Sequence, residues 1–206
     1  MTTPFICIEG VIGVGKTTLT KAIAKHFQVD CLLEIVEENP YLEKFYEDMD
    51  AWSFQTEMFF LCNRVKQLED IHPLLLQGRP VVSDYHLTKN VLFARRTLQL
   101  KKWKQYERIY QILNESLPQA SVIIYLKASV DTLMERIQHR GRAFELKIDR
   151  DYIAQLASDY DEAMNTLKTH TTVITIETDH LNVIDNQADL NFIIDQVQPY
   201  ISSYLN

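Results

Sequence analysis

The sequence predicts a single α/β domain built on a five-stranded parallel sheet, and three observations point to it. Five short apolar runs, Phe5–Ile8, Cys31–Val36, Pro80–Ser83, Ser121–Leu126 and Thr172–Ile176, have the length and composition of buried strands. Longer amphipathic, helix-like stretches separate each run from the next, so the strands are joined by crossovers into a parallel sheet with helices on both faces. The 206 residues, 46% of them hydrophobic, suffice for one domain with a full core and are too few for two of ordinary size. No internal repeat, low-complexity tract or Pro/Gly-rich linker divides the chain.

The first strand carries the clearest motif. Gly10-Val-Ile-Gly13-Val14-Gly15-Lys16-Thr17 follows Phe5–Ile8 and precedes a helix-like run, Thr17–Phe27, the context in which a GxxxxGK[ST] loop binds phosphate. Gly10, Gly13, Val14 and Gly15 supply backbone N–H groups, the amino end of the helix with Thr18 adds partial positive charge, and Lys16 reaches the outer phosphates. Thr17 offers a hydroxyl to Mg²⁺. The loop implies a nucleoside triphosphate such as ATP and leaves open what receives its phosphoryl group.

The second run ends in Glu34-Ile-Val-Glu37-Glu38. A carboxylate at the carboxyl end of a parallel strand beside the phosphate loop faces the crevice where such sheets bind ligands. Glu34 is placed there to take a hydroxyl proton, with Glu37 as its reserve. Asp84 closes the third run and is placed to hold the magnesium shell with Thr17.

After the fourth run, Arg136 and Arg140 lie four apart on one helix face, and Gly141 releases the chain into a charged segment containing Arg142 and Glu145. Three arginines directed at one place repel unless an anion sits among them, so the segment of about residues 137–151 reads as an arginine-rich lid over a migrating phosphoryl group. Its part from Gly141 to Asp151 is the best candidate for a mobile loop. Thr178–Asn186 reads as a plain surface connection before a last helix near Gln187–Tyr200.

Charge and cysteine use narrow the partners. A net charge of −7 argues against a groove for polymeric nucleic acid, so any nucleotide partner is small. Cys7, Cys31 and Cys62 are scattered and read as reduced, mostly buried thiols rather than disulfides or zinc ligands. No basic region followed by a long apolar segment opens the chain, and no apolar run approaches the ~20 residues of a membrane span. A cytoplasmic enzyme is expected.

Taken together, Gly10–Thr17, the Glu34-x-Val36 run, Trp52-Ser-Phe, Asp84 and Arg136-x3-Arg140-Gly-Arg142-x2-Glu145 resemble the deoxynucleoside kinase family over essentially the whole chain. The segments Glu38–Tyr46 and Trp52–Arg64 are most similar to the deoxyguanosine kinase branch of Gram-positive bacteria. The resemblance implies a P-loop kinase fold and transfer of the γ-phosphoryl group of ATP or another NTP to the 5′-hydroxyl of a purine deoxynucleoside. It also implies a homodimer, or a heterodimer with a related subunit. It places Glu34 as the base, Tyr46 and Glu145 at the sugar 3′-hydroxyl, and Arg136, Arg140 and Arg142 as lid arginines.

Two departures stand out. Asp84 is followed by Tyr85-His86 where the family has an arginine, which Lys89 or Arg95 could replace. That departure also makes a non-catalytic nucleotide-binding subunit conceivable; a GTPase-type switch is disfavoured because no Asn-Lys-x-Asp motif occurs. The second departure is Glu57 where a glutamine usually reads the base, with Arg64 seven residues on along the same helix face. A carboxylate only accepts, which suits the adjacent N1–H and amine of guanine and opposes the N1 lone pair of adenine. Arg64 could donate toward O6 and N7, and Asn90 is a weaker candidate contact. Deoxyguanosine is therefore the favoured acceptor, deoxyadenosine or mixed use the alternative. Two residues earlier, Gln55 is the rival base reader, and of Phe54, Phe59 and Phe60 one could line the pocket.

Overall fold

The computed structural model describes residues 3–202 and bears out the parallel α/β prediction; Met1 and Thr2, which open the reading of the amino terminus, lie outside the described residues. Five strands, β1 (Phe5–Glu9), β2 (Asp30–Leu32), β3 (Val81–Ser83), β4 (Val122–Lys127) and β5 (Thr172–Glu177), form one sheet in the order β2-β3-β1-β4-β5, with every pairing parallel. The three inner strands are buried on both faces, which is why β1, β3 and β4 read as apolar runs up to their polar last residues, Glu9, Ser83 and Lys127.

Eight helices cross between and follow the strands: α1 (Lys16–Phe27), α2 (Leu42–Glu47), α3 (Met49–Leu76), α4 (Thr88–Thr97), α5 (Leu100–Asn114), α6 (Val130–Arg140), α7 (Arg150–Leu167) and α8 (Gln187–Ile201). They pack in two groups, α1 with α8, and α3, α4, α5 and α7 with one another, while α2 rests on α3 and α6 on α7. Asp48 caps α3, its carboxylate accepting from the Ala51 N–H, and the helix's 28 residues reach about 42 Å at 1.5 Å per residue. It therefore spans the domain and brings Glu57 and Arg64, two turns apart, to the same buried face.

The edges of the sheet depart from the sequence expectation. The second strand stops at Leu32 rather than Val36, because its partner β3 ends at Ser83 and leaves residues 33–36 without a ladder. Side chains replace it: Gln67 donates to the Leu33 carbonyl at 2.8 Å, and Asp84 accepts from the Glu34 N–H at 2.7 Å. Glu34 is thus set in an irregular segment, two residues past the strand. β5 is an edge strand with only Ile176 buried, not a fully buried one. Of the cysteines Cys7 alone is buried. Cys31 lies exposed on the edge strand β2 and Cys62 exposed on α3.

Candidate active site

A cavity of about 940 Å³ opens beyond the carboxyl ends of β1 and β3 and runs from the phosphate loop to α3. At its outer end Gly10, Gly13 and Gly15 all have positive φ, of 146°, 88° and 101°. A side chain at Gly10 would meet the Leu126 carbonyl at 2.4 Å, and one at Gly13 would meet Leu133 O at 2.9 Å and the Ile137 side chain at 2.8 Å. The loop is thus pressed against β4 and α6 by residues without a Cβ. Gly15 caps α1 with no side-chain bond, which leaves the N–H groups of its first turn for an anion. Gly13→Ala is expected to lower Tm by about 3–10 °C, the cost of a strained φ plus a backbone clash, and to raise KM for the triphosphate. A melting curve with steady-state rates at varied ATP checks both.

From the loop inward the polar side chains form an unbroken chain of contacts. Thr17 donates to Asp84 Oδ2 at 2.6 Å; Asp84 Oδ1 accepts from the Glu34 N–H; Glu34 Oε1 accepts from Arg64 Nε at 3.0 Å and also from its Nη2; and Glu34 Oε2 accepts from Lys89 Nζ at 2.6 Å. Burial pushes the Glu34 carboxyl up, but Arg64 and Lys89 together outweigh it and hold the group well below the usual carboxylate range. Lys16 donates to the carbonyls of Gly10 and Val11 at 2.6 and 3.0 Å. Burial and the nearby Lys89 push its amine down to about 8, against the pull of Glu9, Glu34 and Asp84.

Glu57 closes the inner end, 2% exposed, with Thr97 Oγ1 at 3.2 Å from its Oε1. Burial pushes its carboxyl up to about 7, against the opposing charge of Arg64. Gln55 is exposed, so the rival base reader points away from the cavity. Arg64 is spent on Glu34 rather than paired with Glu57, and its Nη1 is buried without a partner. Of the three phenylalanines, Phe60 lines the cavity, its ring 4.9 Å from the Arg64 guanidinium. Asn90 is buried, its amide donating to the Tyr106 hydroxyl at 2.9 Å, while its Oδ1 has no partner among the described residues.

The lid is only partly free to meet an anion. Arg136 is a clamp, donating to the Thr178 hydroxyl and carbonyl at 3.1 and 2.7 Å and to the Val14 carbonyl at 3.4 Å. Arg140 and Arg142 both pair with the buried Glu145, and Arg142 also with Glu37 at 3.3 Å. Glu37 is 74% exposed in its side chain, which places it at the rim, farther from the buried polar chain than Glu34. Tyr46 stacks on Phe144 of the lid at 6.2 Å, and burial followed by the charge of Glu145 pushes its phenol far up. Thr178–Asn186 is not a plain connection: Thr178 is buried, and Asp179, Leu181, Asn182 and Ile184 line the cavity.

Two participants escaped the sequence reading or were left open by it. Glu9, wholly buried at the end of β1, accepts from the Gly10 N–H at 3.0 Å and the His86 N–H at 2.6 Å, tying the phosphate loop to the turn after β3. Its signal was the one acid at the carboxyl end of an otherwise apolar central strand. Lys89, not Arg95, is the cation that reaches Glu34; Arg95 is exposed, with its guanidinium 5.8 Å from the Trp103 ring.

A parallel sheet with a phosphate loop on its central strand, a buried carboxylate beside it and an arginine-rich lid above defines a P-loop phosphotransferase of the small-acceptor kind. The family model for deoxynucleoside kinases matches residues 6–202, and the chain belongs to that family. It is 48% identical over 204 residues to the deoxyguanosine kinase of Bacillus subtilis strain 168, covering 97% of this chain and 99% of the relative. It is 29% identical to the deoxyadenosine/deoxycytidine kinase of the same organism, covering 95% and 92%. Among solved structures, deoxyadenosine kinase from M. mycoides with the products dCMP and a flexible dCDP bound superimposes with a TM-score of 0.83 at 26% identity, covering 95% of this chain and 99% of that one.

Proposed function

We propose that the chain transfers the γ-phosphoryl group of ATP, or of another nucleoside triphosphate, to the 5′-hydroxyl of deoxyguanosine, giving dGMP. The observation that carries the choice of base is Glu57, a buried carboxylate facing the inner end of a cavity whose other end is the phosphate loop. Ionised, it accepts from guanine N1–H and the exocyclic amine together. The 48% identity to a deoxyguanosine kinase supports the same reading.

In this mechanism Glu34 accepts the 5′-hydroxyl proton as the 5′-oxygen attacks the γ-phosphorus. Tyr46 and Glu145 hold the 3′-hydroxyl. Lys16 exchanges its loop carbonyls for phosphate oxygens, while Arg140 and Arg142 swing from Glu145 toward the migrating group, and Arg136 keeps the loop and lid in register. Thr17 and Asp84, an oxygen pair 2.6 Å apart at the mouth of the loop, suit Mg²⁺, a hard cation that takes few protein ligands and completes its shell from phosphate and water. Bound there, the ion neutralises the phosphates and orients them. The reading also implies a cytosolic enzyme acting as a homodimer, or as a heterodimer with a related subunit.

Initial rates on deoxyguanosine, deoxyadenosine, deoxycytidine and thymidine, measured side by side with ATP and Mg²⁺, test the proposal. A clear lead for deoxyguanosine is expected; a lead for any other nucleoside removes Glu57 as the guanine reader.

Deoxyadenosine is the second reading, because a protonated Glu57 presents an O–H to adenine N1. Burial pushes that carboxyl up to about 7. The group's pKa is raised, so the ionised, guanine-reading form gains as pH rises and the protonated form gains as it falls. The ratio of kcat/KM for deoxyguanosine over deoxyadenosine is therefore expected to rise about tenfold or more from about pH 6 to pH 8. Glu57→Gln should flatten that profile.

A further inference from the structure

We propose that Lys89 is the positioning residue for the catalytic carboxylate, standing in for the arginine that does not follow Asp84. The inference rests on the kinase reading above. Tyr85, the residue at that place, brings no charge to Glu34: its hydroxyl donates to Gln67 Oε1 at 3.1 Å, and its ring lies 5.7 Å from the Arg64 guanidinium, packed in the core. About one helical turn further along, at the start of α4, Lys89 is 7% exposed, lines the cavity and sets its ammonium 2.6 Å from Glu34 Oε2.

The division of labour on Glu34 is specific. Arg64 approaches through Nε and Nη2, and both bond the same oxygen, Oε1. Among the described residues Lys89 is the one side-chain partner of Oε2, so one of its lone-pair directions remains for an incoming hydroxyl. Lys89 therefore fixes the oxygen that receives the proton. In the transfer step the 5′-O–H proton passes to Oε2, the 5′-oxygen bonds the γ-phosphorus, and the bond to the bridging oxygen breaks with its electron pair leaving on the nucleoside diphosphate. Without Lys89, the carboxylate keeps its tie to Arg64 but can rotate Oε2 away from the acceptor. That loss falls on turnover rather than on nucleoside binding.

The test compares the unsubstituted chain with Lys89→Met, Lys89→Arg and Lys89→Gln, reading kcat and KM for deoxyguanosine at saturating ATP, and folding by thermal melting. Lys89→Met is expected to lower kcat about 30- to 100-fold with KM within about threefold, and Lys89→Arg to recover about tenfold or more of that loss, because charge as well as geometry is restored. Should the Met variant not fold, the Arg and Gln pair decides: Gln retains a hydrogen bond to Glu34 without the charge and is expected to run at least about tenfold below Arg. A folded variant without a charge at position 89 that keeps kcat within threefold overturns the assignment. So does one that raises KM alone, or an Arg variant no better than its uncharged counterpart. An unsubstituted chain active on a different nucleoside overturns the base reading and moves the Lys89 comparison to that nucleoside; one active on none overturns the kinase reading and the Lys89 assignment together.

Discussion

Glu34→Gln is expected to lower kcat by about 10²- to 10⁴-fold while moving KM for the nucleoside little, the pattern of a lost proton acceptor. The site makes this substitution harsh for a second reason. Glu34 is the anion that two buried cations share, with its side chain 8% exposed against 4% for Arg64 and 9% for Lys89. An amide in its place leaves that charge uncompensated, and breaking a buried pair in this way costs about 3–5 kcal/mol. Melting curves must therefore accompany the rates, and kcat is to be expressed per folded molecule. Glu34→Asp keeps the charge but retracts the carboxylate by one methylene, so it is expected to fold better and to retain more turnover than the amide. If Glu34→Gln melts like the unsubstituted chain and keeps its turnover, another group takes the proton, and Glu37 is the next carboxylate to substitute.

Glu57→Gln carries the second large effect, on choice of base rather than on rate. The substituted amide offers one donor and one acceptor, which matches the mixed edges of adenine and cytosine and sets its N–H₂ against the donors of guanine. A buried mismatch of this kind costs about 1–3 kcal/mol, so kcat/KM for deoxyguanosine is expected to fall about five- to more than a hundredfold while that for deoxyadenosine or deoxycytidine rises. The substitution also removes a carboxyl that burial has already pushed up to about 7, so the folded protein tolerates it. An unchanged order of nucleosides removes Glu57 from the base site and shifts attention to the unpartnered Nη1 of Arg64.

Spacing put Glu57 and Arg64 on one helix face, and the structure keeps them there, but it gives the guanidinium to Glu34, thirty residues away in sequence. Arg64 had two acids within reach, and which one it chose depended on where the irregular segment after β2 lay. The same segment explains the shift of Glu34 from strand end to loop: its apolar residues read as strand, yet β3 was too short to pair with them.

What the sequence by itself determined is whatever depends on local period or on a contiguous motif. Inner strands buried on both faces must be continuously apolar, so β1, β3 and β4 were legible and the parallel sheet with them. A loop that cradles phosphate needs its glycines, lysine and hydroxyl in fixed order, so Gly10–Thr17 was legible too. Only the tertiary structure decided the partners of charges with several candidates in reach. Lys89 rather than Arg95 reached Glu34; Arg136 bonded the 178 carbonyl rather than standing free; Thr178–Asn186 became a wall of the site. A charged side chain is long and its attraction acts in every direction, so its sequence position limits where it can go without selecting its partner; the packing of α3, α4 and α6 over the ends of the strands made that selection.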